Sequence, residues 1–201
     1  MRPRPLLLVL ASVLALTACA RRDAASTPAV TTSVEPAEER VSLYDLPSSW
    51  RDQRGATVHL DTLAGRVRVL AMVYTSCHAT CPLIVADLKR VEASLTAAQR
   101  DDVGFVLVSL DPARDTPGRL AEWAAATRLD PTRWTLLNGD ADAVRELAAA
   151  IGVRYQAEGP DALAHTNVIT VLDADGAVVH QQLGLGAESR GTVDAVQRAL
   201  R

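Results

Sequence analysis

The chain has 201 residues, 48% of them hydrophobic and 22% charged, with a formal net charge of −3. That is enough chain for one self-sufficient globular core with attachments. It lacks the concentrated basic face on which nucleic-acid binding depends, so no nucleic-acid partner is expected.

Arg2 and Arg4 open the chain, and an apolar run from Leu6 to Leu16 follows. The run is too short to span a bilayer and reads as the core of an export signal. It closes on Leu16-Thr17-Ala18-Cys19, which resembles a bacterial lipobox, where the cysteine is acylated and becomes the first mature residue. Residues 1–18 are therefore expected to be a signal peptide, Cys19 a lipidation site, and residues 19–42 a lipidated cysteine followed by a flexible tether. The tether sequence is small, polar and proline-containing, without periodicity. Losing Arg2 and Arg4 leaves a formal charge of about −5. The expected location is outside the cytoplasm, in the periplasm or its equivalent, on a membrane held through the lipid.

The domain is expected over residues 43–201. Trp50–Leu60 reads as two strand-like pieces around a turn at Gln53–Gly55. Arg66–Tyr74 is a buried strand. Pro82 suits the first turn of a helix, and Leu83, Val85, Leu88, Val91 and Leu95 carry a helical stripe through Ala98. Val103–Leu110 is a second buried strand. Asp115-Thr116-Pro117 starts a helix that runs to Leu129, Trp134–Leu137 is a short strand, and Asp140 starts a helix ending near Gly152. Thr166–Leu172 and Ala177–Leu183 are strands joined by Asp173-Ala174-Asp175-Gly176, a tight-turn signal. A last helix covers Ser189–Leu200. Alternating strands and helices predict an α/β, thioredoxin-like fold. Its central sheet is expected to be mostly parallel, with helices on both faces, an N-terminal β-hairpin and a C-terminal antiparallel hairpin. Function in such sheets gathers at the carboxyl ends of the strands.

Cys77 and Cys81 lie there, at the end of the first central strand and the start of a helix. Helix N-termini carry unpaired N–H groups and partial positive charge, which favour thiolate. With Cys19 assigned to lipid, they form an even pair in an oxidising compartment. Their spacing, one residue wider than Cys-x-x-Cys, allows both a reversible disulfide and joint ligation of one ion. Two sulfurs rarely complete a metal site. His59 in the early hairpin and His180 in the last strand read as solvated or edge-strand imidazoles. His78, beside Cys77, reads as exposed, with ligation as the alternative. His165 follows the loop Gln156–Leu163 and precedes a strand; its position leaves open both a strand-capping role and a third ligand. A set of two thiolates and one imidazole favours copper, because closed structural zinc would want a fourth strong ligand. Asp111 and Asp115 read as a turn and a helix cap, with partner docking as the alternative. The acidic turn at Asp173 lacks the glutamate and spacing of a calcium loop.

Four segments resemble the SCO/SenC family of copper-binding assembly proteins: Gly65–Pro82 (GRVRVLAMVYTSCHATCP), Val108–Pro117 (VSLDPARDTP), His165–Gly176 (HTNVITVLDADG) and Asp52–Gly55 (DQRG). The likeness runs through roughly residues 43–200 in the correct order. It implies that Cys77 and Cys81 are copper thiolates and His165 the imidazole ligand, for Cu(I) and Cu(II). It also implies partners: the copper-centre subunit of cytochrome c oxidase and another copper chaperone. Where relatives often carry an acidic residue between the cysteines, this chain has His78-Ala79-Thr80.

Two functions share these sulfurs. One is a lipid-anchored copper chaperone aiding assembly of the oxidase copper centre. The other is a thiol–disulfide oxidoreductase with Cys77 and Cys81 as its redox pair, acting on the cysteines of that centre or in redox signalling. His165 separates them, since dithiol exchange does not require it. A peroxiredoxin-like peroxidase would want a cysteine supported by an arginine, and no segment matches that arrangement.

Overall fold

The computed structural model describes residues 41–159, 162–186 and 189–201. The signal peptide, the lipidation at Cys19 and nearly all of the tether lie outside the described residues. Among the described residues no helix is long and apolar enough to cross a membrane.

A hairpin of β1 (Ser49–Asp52) and β2 (Thr57–His59) begins the sheet. Its turn is built on Asp52, whose carboxylate accepts the backbone N–H groups of Arg54 and Ala56. The central strands are β3 (Val67–Val73) and β4 (Val103–Ser109), and every residue of both is buried. Apolar residues at successive positions require cover on both faces of a sheet, and that is what these strands have. Between them lie α1 (Cys81–Ser94) and α2 (Ala97–Asp101). One helix was expected through Ala98. The break comes at Leu95–Thr96, where Thr96 and Gln99 form a reciprocal capping box that starts a new helix.

The chain continues through α3 (Pro117–Ala126), β5 (Trp134–Gly139) and α4 (Ala141–Ala150). Thr116, with Pro117 behind it, caps α3, and Asp140 caps α4. A short hairpin follows, β6 (Tyr155–Ala157) and β7 (Leu163–His165). Then come β8 (Val168–Leu172), β9 (Val178–Leu183) and α5 (Arg190–Ala199). The β8–β9 turn is the predicted one: Asp173 accepts the N–H groups of Asp175 and Ala177, and Gly176 takes a φ of +87°.

The strand order is β2-β1-β5-β4-β3-β8-β9. Only β3–β4 and β4–β5 pair in parallel; β2–β1, β1–β5, β3–β8 and β8–β9 are antiparallel. The sheet is thioredoxin-like but mixed and mostly antiparallel, which corrects the expectation of a mostly parallel one. Two pairs account for the difference, β1–β5 and β3–β8; the expected loop over Gln156–Leu163 is part of the β6–β7 hairpin. β8 begins at the cysteine-bearing end of the sheet, where the Tyr74 hydroxyl reaches β7, and runs from there against β3. The parallel pairs are confined to the two true helical crossovers.

The core is continuous across the sheet. Phe105 and Trp134 stack with ring centroids 4.6 Å apart, and Trp50 from β1 is buried against Gly139. This packing fixes the strand ends that carry the chemistry.

Candidate functional site

The first element of the site is the junction from β3 to α1. Cys77 is buried and Cys81 fully so. The N-cap of α1, Thr80, makes no side-chain cap to the helix. The Cys77 sulfur takes that place: it accepts the Cys81 backbone N–H at 3.3 Å and lies 3.4 Å from the Thr80 hydroxyl. Burial raises the Cys77 pKa, but the Thr80 hydroxyl, the Cys81 N–H and side chain, and the Ala79 N–H outweigh it and bring the thiol to about 6. Cys81 moves the other way. Burial pushes its thiol far up, and the neighbouring Cys77 sulfur adds to the rise. At neutral pH the pair is one thiolate and one thiol. Both cysteines are free, the reduced form of the pair.

The second element is His165 at the end of β7, paired with Tyr155 of β6. It was expected in a loop before a strand; it closes a strand of its own. Its Nε2 lies 4.0 Å from the Cys81 sulfur, and its Nδ1 lies 3.2 Å from the Thr166 carbonyl oxygen. A carbonyl only accepts, so Nδ1 carries the proton and Nε2 presents a lone pair to the sulfur. Burial lowers the His165 pKa, against a smaller opposing effect of the Thr166 carbonyl, so the ring is neutral at pH 7. Its open side borders a surface hollow lined by Arg154, Tyr155, Gln156, Ala164 and Thr166.

Two further groups hold these elements. Tyr74, the residue after β3, donates its hydroxyl to the Leu163 carbonyl at 3.1 Å and accepts the Leu163 N–H at 3.3 Å. Its ring meets that of His165 edge-on, with centroids 6.0 Å apart and an interplanar angle of 76°. Burial raises the Tyr74 phenol pKa, so it remains a donor. The second group is Asp115, which has no exposed surface. Its carboxylate accepts the Thr75 hydroxyl and N–H and, at 2.6 Å, the Ser109 hydroxyl. It ties the ends of β3 and β4 together beneath the cysteine loop. The cap expected of it belongs to Thr116, and a buried carboxylate is not available to a docking partner. Asp111 pairs with Arg114, and Asn138 holds the loop between them through the Pro112 and Asp115 carbonyls.

The remaining histidines sit apart from this arrangement. His78 and His59 are exposed, and His180 lies half-buried on the edge strand beside α5. Sequence reasoning placed Tyr74 and Ser109 inside recognised segments without giving either a role. The signal was their position at the carboxyl ends of β3 and β4.

Among the described residues, no three His, Cys, Asp or Glu side chains form a ready-made metal cage. The fold nevertheless brings Cys77, Cys81 and His165 to one end of the sheet, with a thiolate, a thiol and an imidazole lone pair. This soft donor set suits Cu(I) and excludes hard cations such as calcium. The arrangement can do two things chemically: bind a soft ion, or exchange a disulfide from an asymmetric dithiol.

The fold and this constellation define a thioredoxin-like domain with a Cys-x-x-x-Cys pair at a helix start and a histidine facing it. Residues 17–200 match the model of the SCO1/SenC family, and the chain belongs to that family. A Bacillus subtilis SCO1 protein homolog is 28% identical over 142 residues, covering 69% of this chain and 73% of that one. A candidate copper-binding protein of Stutzerimonas stutzeri is 28% identical over 131 residues, and the match spans 63% of each chain. The solved structure of BsSco, described as a member of the Sco family of cytochrome c oxidase assembly proteins with a disulfide switch, superposes with a TM-score of 0.67. It is 25% identical, and the match covers 81% of this chain and 96% of that one.

Proposed function

We propose that this chain handles copper as cargo, taking it on Cys77, Cys81 and His165 and delivering it to the copper-centre subunit of cytochrome c oxidase. A second copper chaperone would supply the metal. The observation that carries the reading is the approach of His165 Nε2 to the Cys81 sulfur, with the ring in the tautomer that leaves Nε2 free. Family membership and the copper-binding description of one relative support it. Bound copper would be held by two soft sulfurs and one nitrogen, leaving room for a partner's ligand during transfer. Residues 1–18 act as an export signal, the lipid on Cys19 anchors the chain to the membrane, residues 20–42 are the tether, and the domain over 43–201 works outside the cytoplasm. The deciding experiment is titration of the reduced domain with Cu(I) and Cu(II), repeated with His165→Ala. One copper per chain, with the Cu(II) site lost in the variant, is the expected result; no binding by the wild type overturns the reading.

A second reading rests on the asymmetry of the two thiols. As a reductase, the Cys77 thiolate attacks one sulfur of a partner disulfide and forms a mixed disulfide, and the other partner sulfur leaves as thiolate. The Cys81 thiol then passes its proton to His165 Nε2 and attacks the Cys77 sulfur. The second partner sulfur leaves Cys77 as thiolate and takes the proton from His165, and the first takes one from water; the products are the Cys77–Cys81 disulfide and a partner dithiol, with two electrons moved to the partner. A thiol release assay on a peptide disulfide, with Cys77→Ser and Cys81→Ser as controls, tests this activity without metal.

A further inference from the structure

We propose that Tyr74 is the positioning residue that holds His165 against the cysteine pair. The inference deepens the copper reading, on which it rests for its metal readout.

The hairpin that carries His165 stands outside the main sheet. Its strands pair with one another, so ladder hydrogen bonds do not fix its distance from α1. Tyr74 spans that gap. Its hydroxyl gives its proton to the Leu163 carbonyl and takes the Leu163 N–H, which satisfies both backbone groups of a residue 89 positions away. Its ring edge rests on the His165 imidazole, two residues along the same strand. Its backbone serves the other side of the site. The Tyr74 carbonyl accepts the Cys77 N–H at 3.2 Å, and the Tyr74 N–H lies near enough the Cys81 sulfur to oppose the rise of its pKa. One residue thus touches all three proposed donor residues, two through its main chain and one through its ring.

The division has a consequence. Tyr74→Phe removes only the hydroxyl. The main-chain contacts to Cys77 and Cys81 and the ring contact remain, so the dithiol is left as it was. What is lost is the tether on Leu163. The hairpin is then held at that point by the ring contact alone, and Nε2 is no longer fixed against the Cys81 sulfur. The effect belongs to the histidine and not to the sulfurs.

The test has an arm without metal and an arm with it. In the reduced, metal-free domain, exchange of the Leu163 amide hydrogen should speed up on the order of tenfold in Tyr74→Phe, the scale of the lost hydrogen bonds. The His165 Nε2 NMR signal should shift as the ring leaves the Cys81 sulfur, while the Thr166 carbonyl keeps the proton on Nδ1. Alkylation of Cys77 should keep its wild-type rate, which shows that the cysteine loop is folded. With copper, Tyr74→Phe should lower Cu(II) affinity on the order of tenfold and weaken the nitrogen splitting in the electron-spin spectrum. Tyr74→Phe combined with His165→Ala should be no worse than His165→Ala alone, because both changes act through one ligand. Tyr44→Phe is the control for loss of a buried hydroxyl: Tyr44 bonds the Leu63 carbonyl away from the site and should change none of these readouts. Unchanged Leu163 exchange and an unchanged His165 Nε2 signal in Tyr74→Phe overturn the proposal. Fully additive losses in the double variant overturn it too. If the wild type takes up no copper, the copper reading fails, and the exchange and Nε2 measurements still decide the role of Tyr74.

Discussion

The Cys81 sulfur and His165 Nε2 face each other at 4.0 Å across 84 residues of sequence. Cys81 is fully buried, and burial keeps its thiol protonated. His165 is held neutral with its proton on the far nitrogen. A thiol proton and a lone pair therefore stand ready to exchange, or to make way for one soft cation.

The two cysteines should differ sharply toward alkylating agents. Cys77, with a pKa of about 6, is mostly thiolate at pH 7 and should react across the whole neutral range. Its rate should level off above pH 7, whereas a free thiol keeps accelerating to about 8.5. Cys81 should stay nearly unlabelled in the native state. Peptide mapping after a short iodoacetamide pulse at several pH values gives both profiles. Thr80→Val, which removes a hydroxyl from the Cys77 sulfur, should shift the Cys77 profile to higher pH. Equal labelling of the two sulfurs at pH 7 would contradict the assignment.

The same shifts set how stability follows pH. Cys77 has a lowered folded-state pKa, so the unfolded chain binds more protons between about 6 and about 8.5 and stability should rise through that window. It is lost again as pH falls through the folded value. Cys81 has a raised pKa, so its contribution is complete below about 8.5 and declines as pH rises past it. The reduced protein should therefore gain melting temperature from pH 6 to 8 by more than a Cys77→Ala variant does. Parallel melting curves for the two proteins would show Cys77 to be uncoupled from folding.

Asp115→Ala should destabilise the domain by about 2–4 kcal/mol, because it strands the Thr75 hydroxyl, the Thr75 N–H and the Ser109 hydroxyl in a dry site. Urea unfolding measures the loss. A change under half a kcal/mol, by the ordinary scale of surface substitutions, would place the carboxylate outside the packing that the structure describes.

Copper binding should depend on the predicted donors in a graded way. Replacing Cys77 or Cys81 should abolish tight binding, since half of the sulfur set is gone. His165→Ala should keep weak Cu(I) binding by two sulfurs and hold Cu(II) poorly. His59→Ala and His180→Ala should change little, as both lie apart from the cysteine loop. His78→Ala is the informative control. Retention of the native Cu(II) spectrum in His165→Ala, with its loss in His78→Ala, would transfer the ligand role to the exposed neighbour. Prior oxidation of the dithiol should prevent uptake, because a disulfide offers no thiolate.

The mature N-terminus should be Cys19 carrying lipid. Mass spectrometry of protein extracted from membranes checks this. An unmodified terminus beyond Cys19 would remove the anchor and leave the export signal alone. A single acyl chain binds bilayers only marginally, so stable anchoring should show more than one.

Much of this molecule was legible along the chain. The apolar runs Val69–Val73 in β3 and Phe105–Val108 in β4, the proline after Cys81, the cap at Asp140 and the acidic turn before β9 each act over a few residues, where local stereochemistry decides. The cysteine pair belongs with them, because a Cys-x-x-x-Cys-Pro at a strand end places both sulfurs at a helix start without help from elsewhere. The resemblance of the segments to SCO/SenC proteins rested on the same local patterns. Tertiary structure decided the rest. Residues 155–165 carry too little periodicity to announce two three-residue strands, and the antiparallel pairing of β1 with β5 and of β8 with β3 shows only in the assembled sheet. The split of the thiols into one thiolate and one buried thiol, the burial of Asp115, and the bridge from Tyr74 to Leu163 depend on contacts between residues far apart in the chain. Such contacts form only when the sheet assembles, and a linear pattern does not encode which of its polar groups will then be left without water.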